Sequence, residues 1–379
     1  MSYPIHNKKI IATFLKRKNR FVVIASVDGK IKECYLPNSG RLWELLIPNK
    51  TELMLIENSQ NQKLKFTVLA CKKEHHWVLL HTHLTNKIVK SLINQEKLPF
   101  YRGFRVVSEE VKIKNSRVDL LLENSREKNY LEVKTCTLFG KKTAMFPDAV
   151  TERGKRHLIE LKDLVQKNIK ASVLFVVMNP EVEFFLPAYH IDYEFSKTFM
   201  LVKDIVDIKA ISLKWDSSFT TVEATAELKI DFSFLERVLN EKGVYLLVMH
   251  LQNSEKIIIG NLGKLNFTKG YYVYIGKSKR GLFKRIARHR RKLKKMHWHI
   301  DYFLTRAKLI RDLPILTEED IECQVAYSLS KISDKIIPEF GSSDCNCNGH
   351  LFYFKENPLF NLNFIEMINH YRMDILDFS

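Results

Sequence analysis

Three polar residues interrupt two otherwise apolar runs: Asp119 in SRVDLLLENSREKN, and Glu132 and Lys134 in YLEVKTC. In an extended strand, residues two apart project to the same side. Glu132 and Lys134 therefore share a face, while Leu131 and Val133 take the opposite one. Asp119 sits on the strand across the intervening turn, where it can converge with Glu132. A carboxylate in a partly buried strand is costly, and two together repel unless a cation neutralises them. A hard divalent ion, Mg²⁺ or Mn²⁺, held by Asp119 and Glu132 would answer both problems. Lys134 could then position or deprotonate a water and stabilise charge on a phosphate, which is the chemistry of phosphodiester hydrolysis. Spacing alone equally describes a surface hairpin with a Glu–Lys pair and a solvated Asp.

Other groups suit a polyanion. In FPDAVTERGKRHL, Thr151 is placed to cap a helix over 151–168, and Arg153 and His157, at i and i+4, could face the same groove as nucleic-acid contacts. PNSGR at 37–41 reads as a tight turn presenting Arg41 in a similar role. Of the nineteen residues from Lys277 to Lys295, eleven are Lys or Arg and none is acidic. On a helix over 281–295, Leu282, Ile286 and Leu293 with His289 would form one stripe. Arg285, Arg288, Lys292 and Lys295 would form another, suited to phosphates. Two clusters offer metal ligands. His297, His299 and Asp301 in HWHID would share a strand face, and Cys345, Cys347 and His350 lie in CNCNGH, although C-x-C is not the usual zinc spacing. Structural Zn²⁺ is one role for either cluster; phosphate contact or plain packing is the other.

The elements that must position these residues follow from patterning. Short apolar runs with polar breaks over 20–85, including a DG hairpin signal at 28–29, suggest a small all-β barrel or sandwich. A helix is expected over 86–100, strands near 104–108, 117–122 and 130–135, and the helix at 151–168. The continuous apolar run ASVLFVVM then suits a strand buried on both faces, so a mixed α/β domain is expected over about 100–210. SLKWDSSFTTVEATAE marks a boundary. From Gly243, GVYLLVMHL and KIIIGNL suggest a hairpin and GYYVYIG a further strand.

These stretches carry two resemblances. CYLPNSGRL at 34–42, SRVDLLL, YLEVKTCTL at 130–138 and AMFPDAVTERGKRHL at 144–158 resemble the sugar fermentation stimulation proteins, and D…E-x-K resembles the PD-(D/E)XK nuclease signature. The resemblance covers roughly the first 230 residues. It implies an N-terminal OB-like nucleic-acid-binding barrel, a nuclease-like second domain, and Asp119, Glu132 and Lys134 as its catalytic set. Further on, GYYVYIGKS at 270–278, RIARHRRKLKKMHWHIDYFL at 285–304 and GSSDCNCNGHLFYF at 341–354 resemble an uncharacterised family of GIY-YIG-like domains. That resemblance implies Tyr245 or Tyr274 as general base, Arg285 for the phosphoryl charge and Glu322 as the distal metal-binding carboxylate. The first motif here is GVY and the spacings are stretched, which favours binding over catalysis.

The expected architecture is thus α/β and α+β. It comprises an OB-like barrel at 1–85, a PD-(D/E)XK-like mixed sheet at 86–230, a linker at 231–242, a GIY-YIG-like basic domain at 243–357 and a tail at 358–379. Basic residues outnumber acidic ones 61 to 43, a net charge of +18, which favours DNA or RNA as partner. No apolar run approaches the roughly 20 residues of a spanning helix, so no membrane partner is expected. The first 21 residues lack an uninterrupted apolar core, so no export signal is expected. Six scattered cysteines fit reduced thiols in a cytoplasm. With no phosphate-cradling glycine loop, no small-molecule cofactor is expected. The functions in contention are a metal-dependent nuclease and a non-catalytic DNA-binding regulatory protein.

Overall fold

A computed structural model of the chain describes residues 8–59, 63–113, 116–216, 221–376 and 378. The chain forms two compact units, Met1–Phe232 and Ser233–Ser379.

The first unit opens with a barrel. Strands Lys9–Asn19, Val22–Val27, Lys30–Tyr35, Glu52–Glu57 and Phe66–Lys73 form an antiparallel sheet. It closes where Cys34–Tyr35 pairs in parallel with Phe66–Thr67. His76–Leu79 extends one edge. Asp28 and Gly29, at φ of 48° and 74°, make the expected tight hairpin, and bulges in the first strand let it bend between two partners. Val23, Cys34, Leu53, Leu55, Val68 and Cys71 fill the interior.

After a helix at His83–Asn94 comes a six-stranded mixed sheet. Its strands lie in the spatial order Arg105–Ile113, Ser116–Glu123, Lys128–Cys136, Lys170–Val177, Asp207–Trp215, Val222–Glu227. The middle three run parallel and the outer pairs antiparallel. Helix Glu152–Val165 crosses between two of the parallel strands and packs on Lys170–Val177, whose side chains from Ala171 onward are buried on both faces. Thr151 caps that helix through Gly154 N at 3.0 Å, as its type predicts. Asp192 caps helix Tyr193–Val202 and also accepts the Thr151 N–H at 2.7 Å, tying the two helix starts together. The expected OB-like barrel and mixed α/β sheet are both present.

The second unit is a five-stranded antiparallel sheet, in the order Lys308–Leu316, Gly243–Leu251, Gly270–Ser278, Leu351–Phe354, Lys335–Ile337, with helices Leu282–Arg290, Glu322–Ile332 and Leu362–Asn369. Four expectations are corrected here. Gly243–Leu251 does not pair with the strand after it; Glu255–Ile258 pairs with Lys264–Phe267, and Gly243–Leu251 pairs with Gly270–Ser278 and Lys308–Leu316. The basic helix ends at Arg290, because Arg288 and Lys294 both turn toward Asp301 and Lys294 bonds the His289 carbonyl; Leu293 is left 93% exposed instead of joining the apolar stripe. The segment 231–242 carries a helix, Phe232–Val238. Within the expected tail, the described residues 358–376 pack on the unit: Phe364, Ile365 and Ile368 are buried, and the buried Arg372 guanidinium donates to the Pro314 carbonyl at 3.0 and 2.8 Å.

Among the described residues, no helix is long and apolar enough to cross a membrane.

Candidate metal and nucleic-acid site

Ser116–Glu123 and Lys128–Cys136 form the hairpin that brings Asp119 to Glu132. Backbone pairing runs from Glu123–Lys128 to Leu120–Leu131 and then stops. Beyond that point the Asp119 carboxylate takes over, with Oδ2 accepting the Val133 N–H at 2.8 Å. Its Oδ1 accepts from Asn86 Nδ2 at 2.9 Å, on helix His83–Asn94. Thr85 of the same helix bonds Thr135 at 2.8 Å, so the helix is anchored on both sides of the site.

Glu132 is 4% exposed, so the opposite-face picture is incomplete: both sides of this strand are covered. Its Oε1 is bonded by Lys134 Nζ and by His157 Nδ1. His157 comes from helix Glu152–Val165, and its Nε2 accepts from Arg153 Nε at 3.2 Å. A guanidinium can only donate, which leaves the His157 proton on Nδ1, where it is given to Glu132. His157 is buried, so it positions Glu132 and is not a nucleic-acid contact. Arg153, on the exposed side of that pair, remains reachable from solvent. Asn86 and Thr85 escaped the sequence reading, because a polar residue on an amphipathic helix carries no signal until its target is known.

The two carboxylates are driven apart electrostatically. Burial, and then the Glu132 charge, push Asp119 above the usual carboxylate range, against the opposing pull of the Val133 amide, Lys134 and Asn86. Burial alone would do the same to Glu132, but the Lys134 ammonium and the His157 hydrogen bond outweigh it and hold Glu132 low. A cavity of about 170 Å³ adjoins the cluster, lined by Arg117, Glu132, His157, Glu160 and Lys167 among others.

The PNSGR turn and the FPDAV stretch meet through Asp148. Its Oδ2 accepts the Leu42 N–H at 3.1 Å, and a Cβ on Gly40 would lie 2.3 Å from that oxygen, so any larger residue there would displace the Asp148 carboxylate. Arg17 holds the turn from the other side, bonding the carbonyls of Asn38, Gly40 and Arg41. Arg41 itself is exposed.

In the second unit, Tyr245 and Tyr274 lie on adjacent strands with ring centroids 6.5 Å apart. Burial raises both hydroxyls, so they stay protonated at neutral pH and are poorly suited to act as base. The Tyr245 hydroxyl bonds His289 Nε2 at 2.9 Å, a partner that the sequence placed on an apolar stripe. Arg285 bonds the Lys277 carbonyl and lies 4.8 Å from the Trp298 ring centre. Glu322 opens its helix as expected; it is buried, and it pairs with Lys277 at 3.1 Å.

Two further expectations fail here. Asp301 is fully buried, on a helix at His299–Phe303 and not a strand. Arg288 grips both its oxygens at 2.9 Å, and the His297 and Trp298 amides add bonds at 3.0 and 3.1 Å. That carboxylate is saturated, so His297, His299 and Asp301 are not a zinc set. For the same reason Arg288 is not a phosphate contact. Lys292 and Lys295 are exposed.

An OB-like barrel is followed by a nuclease-like mixed sheet. Comparison with known proteins matches both domains. A profile described as the SfsA N-terminal OB domain matches residues 15–80, the sugar fermentation stimulation protein RE domain matches 83–219, and a domain of unknown function, DUF123, matches 244–373. A sugar fermentation stimulation protein homolog of Methanothermobacter thermautotrophicus is 38% identical over 184 residues, 48% of this chain and 77% of that one. One from Clostridium botulinum is 33% identical over 221 residues, 58% of this chain and 96% of that one. The solved Pyrococcus furiosus SfsA in complex with Ca²⁺ superposes with a TM-score of 0.57 at 26% identity, covering 61% of this chain and 99% of that one. The chain belongs to the sugar fermentation stimulation protein family.

Proposed function

We propose that this protein binds nucleic acid and hydrolyses its phosphodiester bonds at Asp119, Glu132 and Lys134 with a divalent cation. The carrying observation is the interrupted hairpin, in which Asp119 replaces a backbone acceptor and so stands beside Glu132 and Lys134. Hard carboxylate oxygens are the donor set for Mg²⁺ or Mn²⁺, and a cation between them would relieve the repulsion that raises Asp119. The Ca²⁺ complex of the Pyrococcus furiosus relative supports a hard-cation site. When bound, the cation would polarise the phosphate and lower the pKa of a water. Asn86 and the Val133 amide orient Asp119, while His157 and Arg153 orient Glu132. Lys134 supplies a fixed positive charge beside the phosphate. The barrel at 15–80, the +18 charge, and exposed Arg41, Arg153, Lys292 and Lys295 provide the polyanion contacts.

One observation favours a second reading, a non-catalytic DNA-binding regulator: Glu132 Oε1 is already engaged by both Lys134 and His157. The two separate by incubating the full chain with labelled single- and double-stranded DNA and RNA, with Mg²⁺ or Mn²⁺, beside Asp119→Ala and Lys134→Ala variants. The nuclease reading expects cleavage by the wild type alone. Binding by all three without cleavage leaves the regulator.

A further inference from the structure

We propose that Cys323, Cys345, Cys347 and His350 bind one Zn²⁺ ion, which pins the first turn of helix Glu322–Ile332 to the loop 341–350 and sets the position of Glu322. The ligand atoms of these four residues all lie within 4.8 Å of one another. Tetrahedral zinc, with bonds of about 2.3 Å to sulfur and about 2.0 Å to nitrogen, holds such atoms roughly 3.5–3.8 Å apart, so a small contraction completes the site. Cys345 Sγ and His350 Nε2 are already 3.4 Å apart. Atoms this close enclose a single ion and are too near to span a two-iron cluster. Three thiolates and an imidazole are soft ligands in a number that closes a structural zinc site. All six cysteines are free thiols.

The fold supplies a reason for an ion here. The loop is secured at its exit, where His350 N bonds the Phe340 carbonyl at 2.7 Å and Ile275 N bonds the His350 carbonyl at 3.0 Å. Its middle has little regular structure, and both C-x-C ligands lie in it. Cys323 comes from a helix twenty-two residues earlier, which is why C-x-C looked incomplete in the sequence.

His350 is fully buried, and its Nδ1 lies 3.7 Å from Glu322 Oε1. With the ion on Nε2, the Nδ1 proton faces that carboxylate, the usual arrangement behind a zinc-bound histidine. Glu322 is then held between His350 and Lys277. It is a positioning residue for the metal, whatever else the domain does.

The test uses the full chain purified under reducing conditions. Elemental analysis is expected to find one zinc per chain. After chelator stripping, Co²⁺ is expected to give thiolate-to-cobalt charge-transfer absorption with the d–d bands of a tetrahedral site, and Zn²⁺ should displace it. Cys345→Ser and Cys347→Ser should lose the bound zinc. Glu322→Gln should retain one zinc at an affinity about 10–100-fold weaker. The cobalt spectrum is read on the unaltered sequence, so it decides the matter even if a cysteine variant fails to fold. Zinc-free protein with three reactive thiols here, an octahedral cobalt spectrum, or an iron chromophore would overturn the assignment. Unchanged affinity in Glu322→Gln would overturn the link to Glu322.

Discussion

Asp119 accepts the Val133 amide at 2.8 Å where the two site-bearing strands stop pairing, so a side chain completes a ladder that the backbone has abandoned. An Asn at this position keeps an oxygen for that amide and loses the charge opposing Glu132. Asp119→Asn is therefore expected to match the metal-free stability of the wild type within about 1 kcal/mol. Thermal unfolding with Mg²⁺ or Ca²⁺ should separate them. A cation at a hundredfold excess over its Kd adds about 2.7 kcal/mol to the wild type and nothing to the variant. Equal stabilisation of both would place the cation elsewhere.

Lys134 and Glu132 form a buried pair, with side chains 14% and 5% exposed. Removing one partner strands the other charge, so Lys134→Ala should cost about 3 kcal/mol in urea unfolding. Glu132→Gln in the same background should recover part of that loss. Additive costs in the double-mutant cycle would show that the pair is not coupled.

Asp301 is held down to about 2, because the Arg288 fork and two backbone amides outweigh the effect of burial. Its folded value lies below its unfolded one. The stability it contributes is therefore complete above about pH 4 and is lost as pH falls toward 2. Asp301→Asn should be destabilised by about 3–5 kcal/mol at neutral pH. It should also show a shallower acid transition in the second unit, followed by near-ultraviolet circular dichroism. An unaltered acid limb would assign the transition to other carboxylates.

Gly40 and Asp148 stand so close that no side chain fits between them. Gly40→Ala should cost about 1–3 kcal/mol by overpacking. In an Asp148→Ala background the same change should cost almost nothing further. Full additivity in calorimetry would show that the turn yields in some other direction.

Lys292→Glu with Lys295→Glu should weaken binding to all sequences alike and flatten the plot of log affinity against log salt by about two units. Arg288→Glu should instead unfold the second unit, because it sets a carboxylate against Asp301. Fluorescence anisotropy across a salt series reads the first effect and circular dichroism the second. An unchanged slope would mean that these lysines do not meet phosphate.

Local pattern was enough to place the strands bearing Asp119, Glu132 and Lys134, the Thr151 cap, the DG turn and the buried ASVLFVVM strand. Each depends on side-chain alternation, capping or turn chemistry within a few residues. The family resemblance likewise rested on contiguous motifs. What needed the folded chain was every choice among distant partners. Arg288 looked like one basic residue among eleven until Asp301 took both its arms, and His157 read as a nucleic-acid contact until its ring was found bonded to Glu132. Cys323 had no visible tie to CNCNGH. Charge and periodicity say which residues can pair; only the closing of long loops decides which of them do, and that is set by packing summed over the whole core.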